Sequence, residues 1–579
     1  MFSRKIDGIT LEVMKNAFYT IAEEMGVTLI RTALSTNIKD RMDCSTAIYT
    51  KNGDLVAQAE HVPLHLGLMP SVVHEVLKLF PPDLLKEGDA ILINDPYISG
   101  SHLPDIFMIS PIFLHGKLVG LAANIAHHVD VGGLSPGSMS VKATEIFHEG
   151  LRIPAVRIQR EGVLDQEMIR LLEKNVRTGK EVLGDIYAQL AANKVAETRL
   201  IDLIEKHSVD FVFDCMEEIM NYSDRRMRAA ITKVPNGSYQ FKDILEGDGI
   251  TEDELEIQAL VKVAEDTIEV DFTGSAKQTQ GPVNSTHGVT NACVYYALKA
   301  ILDSEVPPNA GTYRSIKIHA PKGTIVNPNF PAPVSNANSN TSQRITDTIF
   351  GALVQVLPER SMAACSGTMN GFAIGGFDPE KESYFSYVET YGGGQGGLLD
   401  LDGMDGVHTN MTNTLNTPVE VMEQTFPFFV NKYGLIDGSG GAGKFRGGLG
   451  MERELTLLGD DFTITLMSDR QKHQPWGLFN GKGGQTSSCT LVTPEGEKMA
   501  LSSKVTMKAD KGSKIRLATA GGGGYGSPFE RDPQFVLKDV VLGHIDFQQA
   551  KEDYGVVLEE EGIAVHEAET SRVRLAQYS

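Results

Sequence analysis

AILINDPYISGSHLPDIFMISPIFLHGKLVGLAANIAHHVDVGG, residues 90–133, carries both the architecture and the chemistry of this chain. AILIN (90–94) reads as a short apolar strand that runs into the turn-rich loop DPYISGSHLPD. PIFL and KLVGLAANIA lie on either side of His115-Gly116 and read as a hairpin. The second strand of the hairpin delivers His127 at its end.

Upstream, AIYTK and DLVAQA flank Asn52-Gly53 and predict another hairpin. Before it, Met14, Ala17, Phe18, Ile21, Ala22 and Met25 share one helical face, with Gly26 as the predicted stop. Downstream, residues 155–234 hold no proline, and MIRLLEKNV and RLIDLIEKH carry helical periodicity, so a hairpin of long helices is predicted there. After Pro235 the pattern turns to strands, with LEIQALVKV and DTIEVDFTG forming a third hairpin. Helices are predicted at Asn291–Leu302, Gln343–Val356 and Gln548–Tyr554. Glycine is dense from Gly392 to Gly450 and gives no periodic signal. From Glu452 the chain is strand-like up to Gly521–Gly524, and no internal repeat is visible. The pattern predicts an α+β, multi-domain mixed fold. It divides into an active-site region (1–154), a helical region (155–234), a mixed α/β domain (235–390) and a glycine-rich C-terminal domain (391–579).

Composition narrows the function. The 579 residues exceed what one core supports, and 41% hydrophobic with 22% charged residues excludes a disordered chain. A net charge of −22 repels phosphate backbones and anionic lipid headgroups, so nucleic acid and membranes are poor partners. The five cysteines (Cys44, Cys215, Cys293, Cys365 and Cys489) form no CxxC pair, which argues against a disulfide framework or a thiolate zinc site. The start lacks an apolar leader and no run of about 18 apolar residues occurs. These features predict a soluble, cytoplasmic protein.

Eight of the 15 histidines fall between His61 and His148. His102 and Asp105 stand three apart in GSHLPDI, where Pro104 prevents a regular helix and a turn can aim both side chains at one centre. With His127 they offer two imidazoles and a carboxylate, the composition of an open divalent-metal site. Asp43, in KDRMDCS, offers a second carboxylate. Loop-capping aspartates and ordinary hydrogen-bonded histidines give the same spacing, and the residues alone leave both readings open. His61 and His65, in EHVPLHLG, read as proton carriers or substrate contacts, or as buried histidines beside the hairpin. His128 and Asp130 either orient His127 or cap a turn, while His148-Glu149-Gly150 reads as structural.

Other signals fail on their chemistry. Gly438–Lys444 nearly matches a phosphate-binding loop, but Phe445 replaces the required hydroxyl and Gly447-Gly448 would spoil the following helix. GGGGYG (521–526) lacks the helix a dinucleotide fold needs, so tight turns or a subunit contact are predicted instead. Cys44 beside Asp43 reads as a buried thiol, and Trp476 as a packing residue. Arg344 and the Gly392–Gly397 loop are candidates to reach substrate or a partner's nucleotide, with no mechanism attached.

NIKDRMDCSTAIY, AEHVPLHLG, DPYISGSHLPDI, AHHVDVGGLSPGS and EIFHEGLRIP, in that order, resemble the N-terminal half of the hydantoinase B/oxoprolinase family. The likeness continues through GPVN, SQRITD, ETYGGGQGG, GSGGAGKFRGG and GGGGYGSP over nearly the whole chain. This resemblance implies the smaller subunit of a two-subunit, ATP-dependent cyclic-amide hydrolase of the oxoprolinase, hydantoinase or caprolactamase kind. It places a metal on His102, Asp105 and His127, with Asp43 as a fourth ligand or base. Zinc is the first expectation and manganese or iron(II) the others. A bound divalent ion lowers the pKa of its water towards neutrality. The resemblance further implies that a large hydantoinase A-type partner binds ATP and Mg and phosphorylates the amide oxygen, after which hydroxide from this site attacks the activated carbon. A dimer of heterodimers is the expected assembly. The alternative within enzymes is an acetone- or acetophenone-type carboxylase component, and the non-enzyme rival is a metal-free scaffold subunit.

Overall fold

A computed structural model of the chain describes residues 6–59, 61–559 and 564–576. Residues 1–5, part of the start read above as lacking a leader, lie outside them. The N-terminal part is built on a seven-stranded antiparallel sheet of β1 (Cys44–Tyr49), β2 (Leu55–Gln58), β3 (Ala90–Ile93), β4 (Asp105–Leu114), β5 (Lys117–His127), β6 (Val156–Arg160) and β7 (Val163–Leu164), in the order β2-β1-β5-β4-β3-β6-β7. The β4–β5 hairpin turns at His115 (φ 50°) and Gly116 (φ 73°), as the sequence predicts. β1, β2 and β3 are buried at every position because the sheet is covered on both faces. The faces alternate with period two. Ala47, Tyr49, Leu121, Ala123 and Ile125 enter the larger core, while Cys44, Ile48, Ala122 and Ala126 pack under the helices Gly8–Thr32, Gly179–His207 and Val209–Ile231.

Two expectations need correction here. The first helix does not stop at Gly26 but runs from Gly8 to Thr32, capped by the Asp7 side chain. A Cβ on Gly26 would lie 2.7 Å from His61 Nε2, so this glycine permits a close packing contact. The region from 155 begins with β6 and β7, which join the N-terminal sheet, and its helices start only at Gln166. The long helices Gly179–His207 and Val209–Ile231 meet at Ser208 (φ 100°).

A second sheet follows in the order Ile316–His319, Thr267–Asp271, Glu254–Ala264, Gly237–Glu246. Helices His287–Leu302 and Thr341–Leu353 pack in the same core, and every residue of the latter is buried. A third sheet joins strands from both sides of residue 390, in the order Ser383–Thr390, Gly371–Asp378, Phe462–Met467, Lys504–Ala509. A five-stranded sheet completes the C-terminal part.

The glycine-rich stretches form neither a phosphate loop nor a run of tight turns. Gly394, Gly447, Gly521 and Gly522 pack backbone against backbone, and a Cβ on any of them would meet a neighbouring main-chain atom at 2.2 Å or less. Hydrogen bonds run from Gly394 N to Ala520 O, Gly397 N to Gly523 O, Gly441 N to Gly522 O and Gly522 N to Gly448 O, all 2.8–3.0 Å. The Gly392–Gly397 loop is spent in this bundle. After Gly438–Lys444 the next regular element is the strand Met451–Leu457, not a helix. Trp476 packs against Phe241 and donates to Asp243, and burial together with Asp43 pushes the Cys44 thiol up, as a buried thiol requires.

Candidate metal centre

The hairpin register builds the site. Asp105 is the first residue of β4 and His127 the last of β5, and the two are direct cross-strand partners. The turn at His115-Gly116 and a one-residue bulge between Ile112 and Phe113 together bring these residues opposite each other, while the loop entering β4 adds His102. One donor atom from each of His102, Asp105 and His127 lies within 4.8 Å of the others, and all three residues are buried. His102 Nε2 and Asp105 Oδ1 have no hydrogen-bond partner although no solvent reaches them. A buried polar atom left unpaired costs about 1–3 kcal/mol, so two of them in one group need an explanation. A divalent cation among two imidazoles and a carboxylate supplies it, and the residues fit such an ion.

Surrounding groups fix the donors. His102 Nδ1 donates to the Ser335 carbonyl at 3.0 Å; a carbonyl only accepts, so the proton sits on Nδ1 and the lone pair on Nε2 faces the site. Glu149 holds that carbonyl in place, because its Oε1 accepts from Val334 N and Ser335 N, each at 2.8 Å. Asn338 Nδ2 (3.1 Å) and the Ser101 hydroxyl donate to Asp105 Oδ2. Asn37 Nδ2 lies 3.1 Å from His127 Nδ1, and Arg41 Nη1 donates to the Asn37 oxygen. His128 and Asp130 do not orient His127. His128 meets Gln189 Oε1, while Asp130 accepts from Gly132 N, Gly137 N and Arg177.

Electrostatics favour a cation here. Burial lowers His127 to about 4, leaving it neutral at pH 7. Burial also opposes charge on His102, but Asp105, 3.3 Å from its Nε2, more than offsets that and holds its pKa above the usual range. Asp105 is buried too, yet His102 and His65 hold it well below the carboxylate range. Burial lifts Glu149 to about 7 against the pull of its two amide donors.

The other sequence candidates divide. His65 reaches the site: its Nε2 lies 3.7 Å from Asp105 Oδ1 and 3.9 Å from Asp43 Oδ1, and its Nδ1 lies 3.3 Å from Ser45 Oγ. Asp43 lines the same cavity and sits 3.6 Å from Arg41, but the closest cluster of donors is His102, Asp105 and His127 without it. His61 faces a different cavity, of about 270 Å³, with Tyr295, Tyr296 and Lys299. Arg344 is completely buried and bonded to Asp243 and Asp469, so it does not reach substrate.

The metal-site cavity measures about 40 Å³, room for an ion and a few waters. Sequence reasoning missed most of its walls. Arg41, Asn338 and Thr390 line it, as do Val62, Leu64, Met139, Met369, Val388 and Met467. Asn338, Met369, Val388 and Met467 carry no local signal, because each is brought in from a distant element.

Residues 7–528 match the family model described as hydantoinase B/oxoprolinase. An uncharacterized protein of Methanocaldococcus jannaschii is 42% identical over 98% of this chain and 100% of its own length. A Pseudomonas protein named as the B component of a putative D-/L-hydantoinase is 37% identical over 96% of both chains. The beta chain of the Pseudomonas jessenii caprolactamase is 32% identical over 99% of both chains. The crystal structure of the ATP-dependent caprolactamase from that organism superposes with a TM-score of 0.91 at 30% identity, covering 99% of this chain and 100% of that one.

Proposed function

This chain belongs to the hydantoinase B/oxoprolinase family, and on that premise we propose that it is the metal-holding subunit of an ATP-dependent cyclic-amide hydrolase. The observation that carries the reading is the buried His102–Asp105–His127 group with its two unpaired donor atoms facing one point. Relatives named as one component of a hydantoinase and one of a caprolactamase support a second, larger subunit that binds ATP. We place the chain with such a partner, in a dimer of heterodimers, and assign phosphorylation of the amide oxygen to that partner.

His102, Asp105 and His127 would hold the ion, with Asp43 joining as a fourth ligand or a base. Zinc suits this donor set, and manganese or iron(II) suit it as well. When bound, such an ion supplies Lewis acidity and lowers the pKa of water at the site. The remaining work falls to the chain's own side chains. His65, between Asp105 and Asp43 and backed by Ser45, is placed to take the proton from the attacking water and return it to the leaving ring nitrogen. Arg41, clamped to Val388 O and Thr390, keeps Asn37 and hence His127 in position. The apolar wall keeps bulk water from the activated carbon. In net terms one water opens the amide and one goes to ATP, giving amino acid, ADP and phosphate.

The test is the co-purified complex with its large partner, given ATP, a lactam panel and labelled bicarbonate. Ring-opened, unlabelled amino acid formed only with ATP supports the reading, together with His102→Ala losing metal and turnover. Label entering a β-keto acid formed from an added ketone, with lactams untouched, would make the enzyme a carboxylase. A metal-free wild-type chain whose His102→Ala variant keeps full activity would make it a scaffold.

A further inference from the structure

A net charge of −22 makes a basic surface unexpected on this chain, yet one lies where the helices Val209–Ile231 and His287–Leu302 end. A cleft of about 650 Å³ there is lined by Arg226, Lys233 and Arg360, and Asp303 is the one carboxylate among its described lining residues. Arg226 is spent on Asp303, which it holds through Nε and Nη2. Arg360 Nη1 donates to the carbonyls of Ile301 and Leu302, as a cation at a helix C-terminus does. That leaves Arg360 Nε and Nη2 and the exposed Lys233 ammonium with no partner among the described residues.

This cleft adjoins the one that holds His61, because Ala300 and Ser304 line both. The second cleft, of about 270 Å³, is walled by Tyr295, Tyr296 and Tyr313, and no carboxylate stands among its described lining residues. Tyr295 and Tyr313 stack with their ring centroids 4.1 Å apart. Lys299 lines the tyrosine cleft and its Nζ donates to the Ser304 carbonyl, so the boundary between the two clefts also carries a cation. One layer of chain separates this place from the metal site: His61 and Pro63 border the cleft, Val62 and Leu64 the metal-site cavity. An aromatic cleft joined to a basic one is the pairing a nucleotide needs, flat faces for the base and positive charge for the phosphates. An acidic peptide would use the cations and leave the tyrosine faces idle.

We infer that the paired clefts at the C-terminal end of His287–Leu302 bind a nucleoside diphosphate or triphosphate, with the base against Tyr295 and Tyr313 and the phosphates on Lys233, Arg360 and Lys299. This site is additional to the nucleotide site assigned to the partner, and it does not rest on the cyclic-amide reading. The test is equilibrium dialysis of the full chain, free of its partner, against labelled ADP. A chelator is present, so that no ion held by His102, Asp105 and His127 recruits phosphate. One ADP per chain should bind with a Kd of about 1 mM or tighter. Lys233→Glu, a change at an exposed position, should weaken ADP at least about tenfold, the scale of a charge-assisted hydrogen bond. Tyr295→Ala should weaken it at least about fivefold, the scale of a lost base stack, with Tyr313→Ala in its place should that variant fail to fold. No ADP bound at several millimolar, or affinity unmoved in both folded variants, would overturn the inference. Inorganic phosphate competing as well as unlabelled ADP would overturn it too, because the base would then contribute nothing. Each outcome is read without metal and without turnover, so failure of the proposed hydrolase activity would leave it standing.

Discussion

Glu149 touches none of the three proposed metal ligands, yet on the proposed function metal affinity should depend on it. Its Oε1 accepts two backbone amides, Val334 N and Ser335 N, both at 2.8 Å, and the Ser335 carbonyl in turn sets the tautomer of His102. Glu149→Ala orphans both amides in a buried place, at about 1–3 kcal/mol each, so a stability loss of about 2–6 kcal/mol is expected. The loosened carbonyl frees the His102 ring, and loss of a partner behind a ligand typically weakens metal binding about 10- to 100-fold. Glu149→Gln separates geometry from charge. Its carbonyl oxygen can occupy the position of Oε1, and burial already lifts the native carboxyl to about 7. Gln should therefore bind metal within about threefold of wild type, or ~0.7 kcal/mol. Chelator-competition titrations on the metal-free chain, read beside thermal melts, give affinity and stability separately. A folded Glu149→Ala variant with wild-type affinity would refute the Glu149–Ser335–His102 chain of positioning. A Gln variant as weak as the Ala variant would show that charge, not hydrogen-bond geometry, is what Glu149 contributes.

Three further outcomes follow from the same geometry. Protons compete with metal at His102, whose pKa Asp105 raises; apparent affinity should climb about tenfold per pH unit until His102 titrates and then level off, as chelator titrations across pH will read. Gly26→Ala gains about 1 kcal/mol of helix propensity but drives a Cβ to 2.7 Å from His61 Nε2; it should lower the melting temperature, whereas Gly8→Ala, with nothing within 4 Å, should not. Burial lifts Asp347 from 3.8 to about 7, so the folded state holds a proton that the unfolded chain has lost, and this group's contribution to stability falls as pH rises between those values. Relative to wild type, Asp347→Asn should gain about 2–3 kcal/mol of stability between pH 5 and pH 8; a difference that does not change with pH would show that burial does not lift this carboxyl.

What the sequence made legible is what local chemistry fixes. The turn dipeptide His115-Gly116 marks the hairpin, but a bulge between Ile112 and Phe113, which the sequence does not announce, shifts the register by one residue and places Asp105 opposite His127 instead of Ala126. The strand alternation of Glu254–Ala264 and the helix face from Met14 to Met25 were readable for the same reason. What the sequence hid depends on contacts between distant segments. Ser335 and Glu149 are 186 residues apart, and neither neighbourhood marks the other. Gly26 looks like a helix stop because its conformational freedom is a local property, whereas its role is to admit His61. The glycine-rich stretches are conspicuous in composition but silent in pattern. Their hydrogen bonds go to several non-adjacent segments, which no single period encodes.

Two buried charged clusters in this chain look alike in composition, and the contrast between them is what assigns function to one. Around Arg344, the anions Asp243 and Asp469 face Arg344, Arg470 and Lys504, and Asp469 is bonded through both oxygens, to Arg344 and to Lys504. Permanent cations answer those anions, and the cluster ties Gly237–Glu246 to Thr341–Leu353 and the loop after Met467. Around His102 the balance is different. Asp43 is 3.6 Å from Arg41, but Asp105 has only imidazoles for charge partners, and the unpaired atoms of His102 and Asp105 border a cavity instead of each other's partners. A proton on His102 can answer that deficit, and so can a divalent ion, which satisfies all three ligands together. On the proposed function, the site is thus built to exchange protons for metal.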